Sequence, residues 1–164
     1  MSFSLLVTLL GACGGKPSPA DDSAADERAV AQVEAIQKQK PPPRMIAPDP
    51  ILFADMEKHD LFGAGCAFAP GNSMGAVLLA RENAAYMKIA NKLVRLASDP
   101  GSGKMPMGTW SRYTGRDMAV ALTKVADAGD DHGNDSVRWP GHLTVTDASG
   151  QLVYNREGLV QCGA

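Results

Sequence analysis

After Leu61 the chain is never far from a turn signal, and that spacing constrains its fold more than any other feature. Pro70-Gly71-Asn72-Ser73, Arg81-Glu82-Asn83, Ala90-Asn91, Asp99-Pro100-Gly101-Ser102-Gly103, Gly115-Arg116 and Asp147-Ala148-Ser149-Gly150 cut the sequence into short apolar runs. Such runs between Gly, Pro, Asn and Asp clusters read as antiparallel strands joined by hairpins. The pattern predicts strands over residues 62–69, 76–80, 86–89, 92–96, 109–114, 117–125, 141–146 and 151–154, with a last run over 158–162. The predicted fold class is all-β, a small antiparallel β-barrel or sandwich of about eight strands. Asn91 tolerates the positive φ that a two-residue hairpin turn requires. Lys88, Lys92 and Arg95 are placed toward water. A competing reading takes residues 76–97 as one long helix, because Ala, Leu, Met and Lys favour helices. Arg81-Glu82-Asn83 interrupts that run, so strands are preferred.

The chain before this region has a different composition. Residues 14–22 are rich in Gly, Pro, Ser and Asp, too polar to bury. Ser23-Ala24-Ala25-Asp26 then matches a helix start signal, with Ala29, Val33 and Ile36 following at helical spacing. Asp26 and Glu27 lie at its start and Lys38 and Lys40 at its end, as the helix dipole prefers. Pro41-Pro42-Pro43 ends it. The apolar stripe is thin, and such a helix alone in water is marginal. Residues 49–60 are compatible with a short helical turn leading into the β region.

The first thirteen residues carry a localisation signal. Phe3-Ser4-Leu5-Leu6-Val7-Thr8-Leu9 is too short to span a bilayer, which takes about 20 apolar residues. It fits the apolar region of a signal peptide, although no Lys or Arg precedes it. Leu10-Gly11-Ala12-Cys13 follows and resembles the lipobox of bacterial lipoprotein signal peptides. The resemblance implies that residues 1–12 are removed and that Cys13 is lipidated. Residues 13–48 then form a tether with a short helix and a proline-rich spacer, and residues 49–164 the β domain. Gly14, rather than Asp, follows the cysteine. By the same resemblance this favours export to the outer membrane, with the protein facing the periplasm. The chain is also similar to small proteobacterial lipoproteins, a group that implies no activity. A third, architectural resemblance is to membrane-bound inhibitors of c-type lysozyme. These are lipid-anchored, eight-stranded antiparallel barrels with a disulfide between early and late strands. Tyr113 in Thr109-Trp110-Ser111-Arg112-Tyr113 falls where that family's inhibitory loop ends, but the loop's Ser-Gly pair is missing. Fold and location carry over, and no binding residue does.

With Cys13 given to lipid, Cys66 and Cys162 remain, one near each end of the domain. In an oxidising compartment they are expected to pair. Closing so long a loop is worth roughly 4–5 kcal/mol in the chain-entropy model.

Composition and motifs narrow the function. The net charge is −2, which provides no strong field for nucleic acid. Gly71-Asn72-Ser73-Met74-Gly75 matches the G-x-S-x-G pattern of serine hydrolases, in which the serine sits on a strained strand-to-helix turn. His132 or His142 would serve as base and Asp117 or Asp127 as orienting acid. A domain this small lacks the repeated β-α alternation of that fold. Gly101-Ser102-Gly103-Lys104 falls short of a phosphate-binding loop, because Ser98 and Met105 stand where Gly and Ser or Thr are needed. Gly63-Ala64-Gly65 lacks the third glycine of a dinucleotide site. Asp127, Asp130, Asp131, Asn134 and Asp135 are oxygen-rich but lack EF-hand spacing, and His59, His132 and His142 lack metal-ligand spacing. Trp110, Tyr113, Trp139 and Tyr154 read as a recognition patch or as barrel-end packing. The expectation is a non-enzymatic outer-membrane lipoprotein with an envelope binding or structural role. Its partners would be the membrane, through the lipid, and an envelope protein. No cofactor, metal or nucleic acid is expected. The competing readings are a small serine hydrolase using Ser73 and a lysozyme-inhibitor-like binder.

Overall fold

A computed structural model of the chain describes residues 19–38, 41–125, 130–133 and 135–164. The lipidation candidate Cys13 lies outside them, as do Asp127 and Asn134. The chain divides between Pro42 and Pro43 into two compact units. In the first, helix α1 (Pro19–Lys38) begins ahead of the Ser23 start signal. Proline suits a first helical position, since its φ is preset and its missing N–H would have no partner there. Val30, Val33 and Ile36 are exposed. A Glu34–Lys38 pair at 3.6 Å adds a few tenths of a kcal/mol.

The second unit is built from strands β1 (Pro48–Asp49), β2 (Gly65–Pro70), β3 (Leu78–Ala80), β4 (Ala84–Ile89) and β5 (Lys92–Ser98), then β6 (Arg112–Thr114) and β7 (Met118–Lys124). It ends with β8 (Asp131–His132), β9 (Ser136–Asp147) and β10 (Leu152–Gly163), and one short helix, α2 (Phe53–His59), precedes β2. All pairings among these strands are antiparallel. They run β4-β3-β2-β10-β9-β7-β6-β5 and return to β4, an eight-stranded closed barrel. β1 continues the row of β3 along β4, and β8 that of β7 along β9.

The all-β expectation therefore holds, as a barrel rather than a sandwich. Residues 76–97 form β3, β4 and most of β5, which overturns the long-helix alternative. Ala90 (φ 48°) and Asn91 (φ 60°) supply the paired left-handed residues of a tight hairpin turn. Several boundaries and one side-chain environment differ from expectation. β2 starts at Gly65 because Gly63 (φ 116°) redirects the chain, leaving Phe62 outside against Phe53, ring centroids 5.7 Å apart. The strand expected over 109–114 shrinks to β6. The runs over 151–154 and 158–162 are one strand, β10, with an irregularity between Leu152 and Tyr154. Lys88 does not face open water: its Nζ lies 2.9 Å from Asp55 of α2.

Alternating inward residues fill the barrel. Phe68, Leu78, Met87, Leu96, Leu143, Val145 and Val160 are fully buried there. A smaller cluster of Ile51, Leu61 and Leu79 lies outside the barrel wall, with Met56 of α2 and Tyr86 packed against it. α2 is further held by Asp55, which accepts from Leu52 N–H at 2.9 Å and pairs with Lys88. Residues 43–48, expected as spacer, belong to this unit, since Ile46 N–H donates to Val153 C=O at 3.0 Å.

Glycines face each other across the two longest strands. Gly141 of β9 and Gly158 of β10 are direct partners. A Cβ at Gly158 would collide with the Ala69 carbonyl, and one at Gly141 with the Val160 side chain. Pro140 sits beside them without breaking the sheet. Its carbonyl accepts from Val125 N–H at 3.0 Å, just past the end of β7. Its missing donor faces the same side, in the gap between β7 and β8. The first and last strands of the barrel, β2 and β10, are neighbours, and Cys66 and Cys162 are partners across them. Their Cα atoms are 4.0 Å apart and their sulfurs lie at disulfide distance.

Candidate functional site

One end of the barrel is closed by the long connection from β5 to β6. Residues 99–111 leave β5, cross the opening and re-enter at β6. The reversal falls at Met107 (φ 56°) and Gly108 (φ 69°), directly after Pro106. Thr109 beyond it is fully buried, its Oγ1 donating to Pro106 C=O at 2.8 Å and lying 3.2 Å from Cys66 Sγ. The next residue, Trp110, donates from Nε1 to Glu82 C=O at 3.1 Å. Tyr113 completes the anchorage. Its hydroxyl accepts from Trp110 N–H at 2.9 Å and donates to Arg81 C=O at 2.8 Å. The connection is thus tied to the β3–β4 turn and to the Cys66–Cys162 seam.

These contacts explain why the expected strand over 109–114 is short. Thr109 and Trp110 spend their hydrogen-bonding groups on the plug, and a ladder begins only at Arg112. Desolvation pushes the Tyr113 phenol up from its ordinary range, opposed by its bond to Trp110. Desolvation also lowers the Arg81 guanidinium, whose Nη2 donates to Leu61 C=O at 2.7 Å while Nε is buried without a partner. Burial raises Tyr154 likewise.

Between this plug and the wall lies a cavity of about 440 Å³. Its apolar surface comes from Met105 and Pro106 of the plug, Leu122 of β7, and Val137 and Trp139 of β9. That size falls within the roughly 300–1,000 Å³ usual for small-molecule sites. Lys104, Lys124 and Asp130 stand at the rim. Lys124 pairs with Asp130 at 2.7 Å, whereas no ion pair engages Lys104 among the described residues. Two lining hydroxyl oxygens have protein contacts: Ser111 Oγ accepts from Gly103 N–H at 3.0 Å, and Thr123 Oγ1 lies 3.5 Å from His142 C=O.

The residues singled out from the sequence are dispersed. Tyr113, Trp139 and Tyr154 are buried packing residues, and Trp110 is half-buried in the plug. Ser73 is exposed in the β2–β3 connection, where its Oγ accepts from Gly75 N–H at 3.1 Å. A strand follows it, so this is not the strand-to-helix turn that the hydrolase pattern requires. Among the described residues, no three His, Cys, Asp or Glu side chains converge as a metal site would need. The cavity itself is not legible in the sequence, where turn signals mark only residues 99–103 of this connection as a loop. The nearest signal is Met105-Pro106-Met107-Gly108, apolar residues in a stretch with no room for a strand between proline and glycine. No protein-family model, curated protein or solved structure matches the chain.

Proposed function

We propose that this is an outer-membrane lipoprotein, anchored through lipid on Cys13 and facing the periplasm, whose barrel serves a non-enzymatic binding role in the envelope. The observation supporting a binding role is the apolar cavity between the β5–β6 plug and strands β7 and β9. The lipobox residues Leu10-Gly11-Ala12-Cys13 support the anchor, and the composition of the tether agrees with it. The Cys66–Cys162 pair at disulfide distance suits an oxidising compartment. Catalysis by Ser73 has no comparable support, since its hydroxyl is engaged with the Gly75 backbone. The lysozyme-inhibitor-like alternative draws on the barrel and its cysteine seam alone.

Two measurements test this reading. Cys13→Ser should abolish lipid labelling and leave either uncleaved precursor or soluble periplasmic protein, and unchanged labelling and membrane fractionation would refute the anchor. The fluorescent probe N-phenyl-1-naphthylamine should bind the full chain saturably. Absence of binding would count against the cavity as a site.

A further inference from the structure

We infer that the cavity takes an amphiphile with an apolar body and a single anionic head, such as a fatty acid. This rests on the binding role proposed above and names its ligand class. The body must be apolar because the wall offers Met105, Pro106, Leu122, Val137 and Trp139, with Ser111 Oγ already accepting from Gly103 N–H and Thr123 Oγ1 lying 3.5 Å from His142 C=O. A ligand rich in hydroxyls or amides would leave those groups unpaired on entry, at a cost that favours its exclusion. The head must sit at the rim, where among the described residues two lysines, Lys104 and Lys124, line the cavity with one aspartate, Asp130. Asp130 is occupied by Lys124, so Lys104 is the cation left to meet an anion. Among the described residues, a cationic head would meet Lys104 with no free carboxylate of the cavity lining beside it. A long, largely apolar ligand with one charge at its end satisfies both constraints, and lipids of the envelope supply that chemistry.

Trp139 lines the cavity, so its emission reports occupancy, and Trp110→Phe removes the other tryptophan. The full chain, carrying Cys13→Ser to avoid detergent, is titrated with decanoate, decanol and decyltrimethylammonium below their micelle concentrations. Decanoate should shift the Trp139 emission saturably and bind more tightly than decanol, with decyltrimethylammonium weakest. Lys104→Glu should weaken decanoate by about fivefold, the size expected for reversing one exposed charge, and leave decanol unchanged. Added salt should weaken decanoate alone. Val137→Phe, checked for retained strand content, should reduce binding of all three by filling the cavity. Decanol binding as tightly as decanoate, with Lys104→Glu silent, would overturn the anionic head while leaving the cavity as a site. No response of Trp139 to any of the three, or to N-phenyl-1-naphthylamine, would overturn the binding role together with this inference. Unaltered binding to Val137→Phe would place the site elsewhere and overturn the assignment.

Discussion

Two side chains connect separate parts of the domain, and each makes a prediction at its own position. The Tyr113 hydroxyl is bonded on both sides, to Trp110 N–H and Arg81 C=O, with the ring fully buried. Tyr113→Phe keeps the ring and strands both backbone groups, so it should cost about 2 kcal/mol in urea or thermal unfolding. An unchanged midpoint would mean that water replaces the hydroxyl. The same phenol gives an alkaline dependence. Burial raises its pKa above the value near 10 of the unfolded chain, so the unfolded state loses its proton first. Stability is full below that pH and falls as pH rises through the folded value. Tyr113→Phe should flatten part of that slope, to which Tyr154 contributes in the same sense. Asp55 acts in the opposite sense. Its hydrogen bond from Lys88, then that from Leu52, holds its carboxyl below the ordinary range. The stability it contributes is present above about pH 4 and is lost as pH falls through the folded value. Asp55→Asn should therefore lower stability at neutral pH and weaken the acid dependence of the melting temperature. Equal acid slopes in the two proteins would remove Asp55 from that account.

At the scale of elements, the glycines separate turn chemistry from close packing. Gly150 (φ 79°) has open space where a Cβ would go, whereas at Gly158 the Ala69 carbonyl occupies it. Gly150→Ala should cost only the strain of a left-handed alanine, about 1 kcal/mol. Gly158→Ala must push β2 and β10 apart and should cost clearly more, read as a larger drop in denaturant midpoint. Similar midpoints for the two variants would show that the β2–β10 pair yields easily. This contrast also marks what could be read from the sequence. Gly150 follows Asp147 in a turn that its own neighbours announce. Nothing near Gly158 announces that its partner across the sheet is Gly141, because that contact is made by register between distant segments. The hairpin at Ala90-Asn91 was legible for the same local reason, and the Asp55–Lys88 pair was not. The plug was the largest omission. Thr109 to Thr114 has the alternation of a strand, and only the Tyr113 hydroxyl folding back on Trp110 shows why the first half is not one.

The whole barrel was legible because turn spacing and cysteine position agree. Short antiparallel strands must either expose edges or close, and closure makes the first and last strands neighbours. Cys66 and Cys162 stand on those strands, 96 residues apart in sequence and partnered across the seam. The cavity was hidden because its walls come from separated stretches, residues 103–106, Ser111, 122–124, Asp130, and Val137 with Trp139, which only the closed barrel assembles. The seam and the cavity share an end, since Pro106 both lines the cavity and lies 3.7 Å from Cys66 Sγ through its carbonyl. This makes the cysteine pair a test of the molecule as a unit. Closing a loop of that length should stabilise the fold by roughly 4–5 kcal/mol, largely by restricting the unfolded chain. Reduction, or the double variant Cys66→Ser with Cys162→Ser, should lower the melting temperature markedly while leaving the far-ultraviolet strand signal intact. The hydrophobic pattern still specifies the ring, so loss of strand content would mean that the bond, rather than the pattern, closes the barrel. Trp139 emission distinguishes a further outcome. If the plug is held in place by Thr109 and Tyr113, the emission should remain native in the reduced protein at low temperature. A red shift on reduction alone would show that the seam supports the plug, and probe binding should then weaken in step.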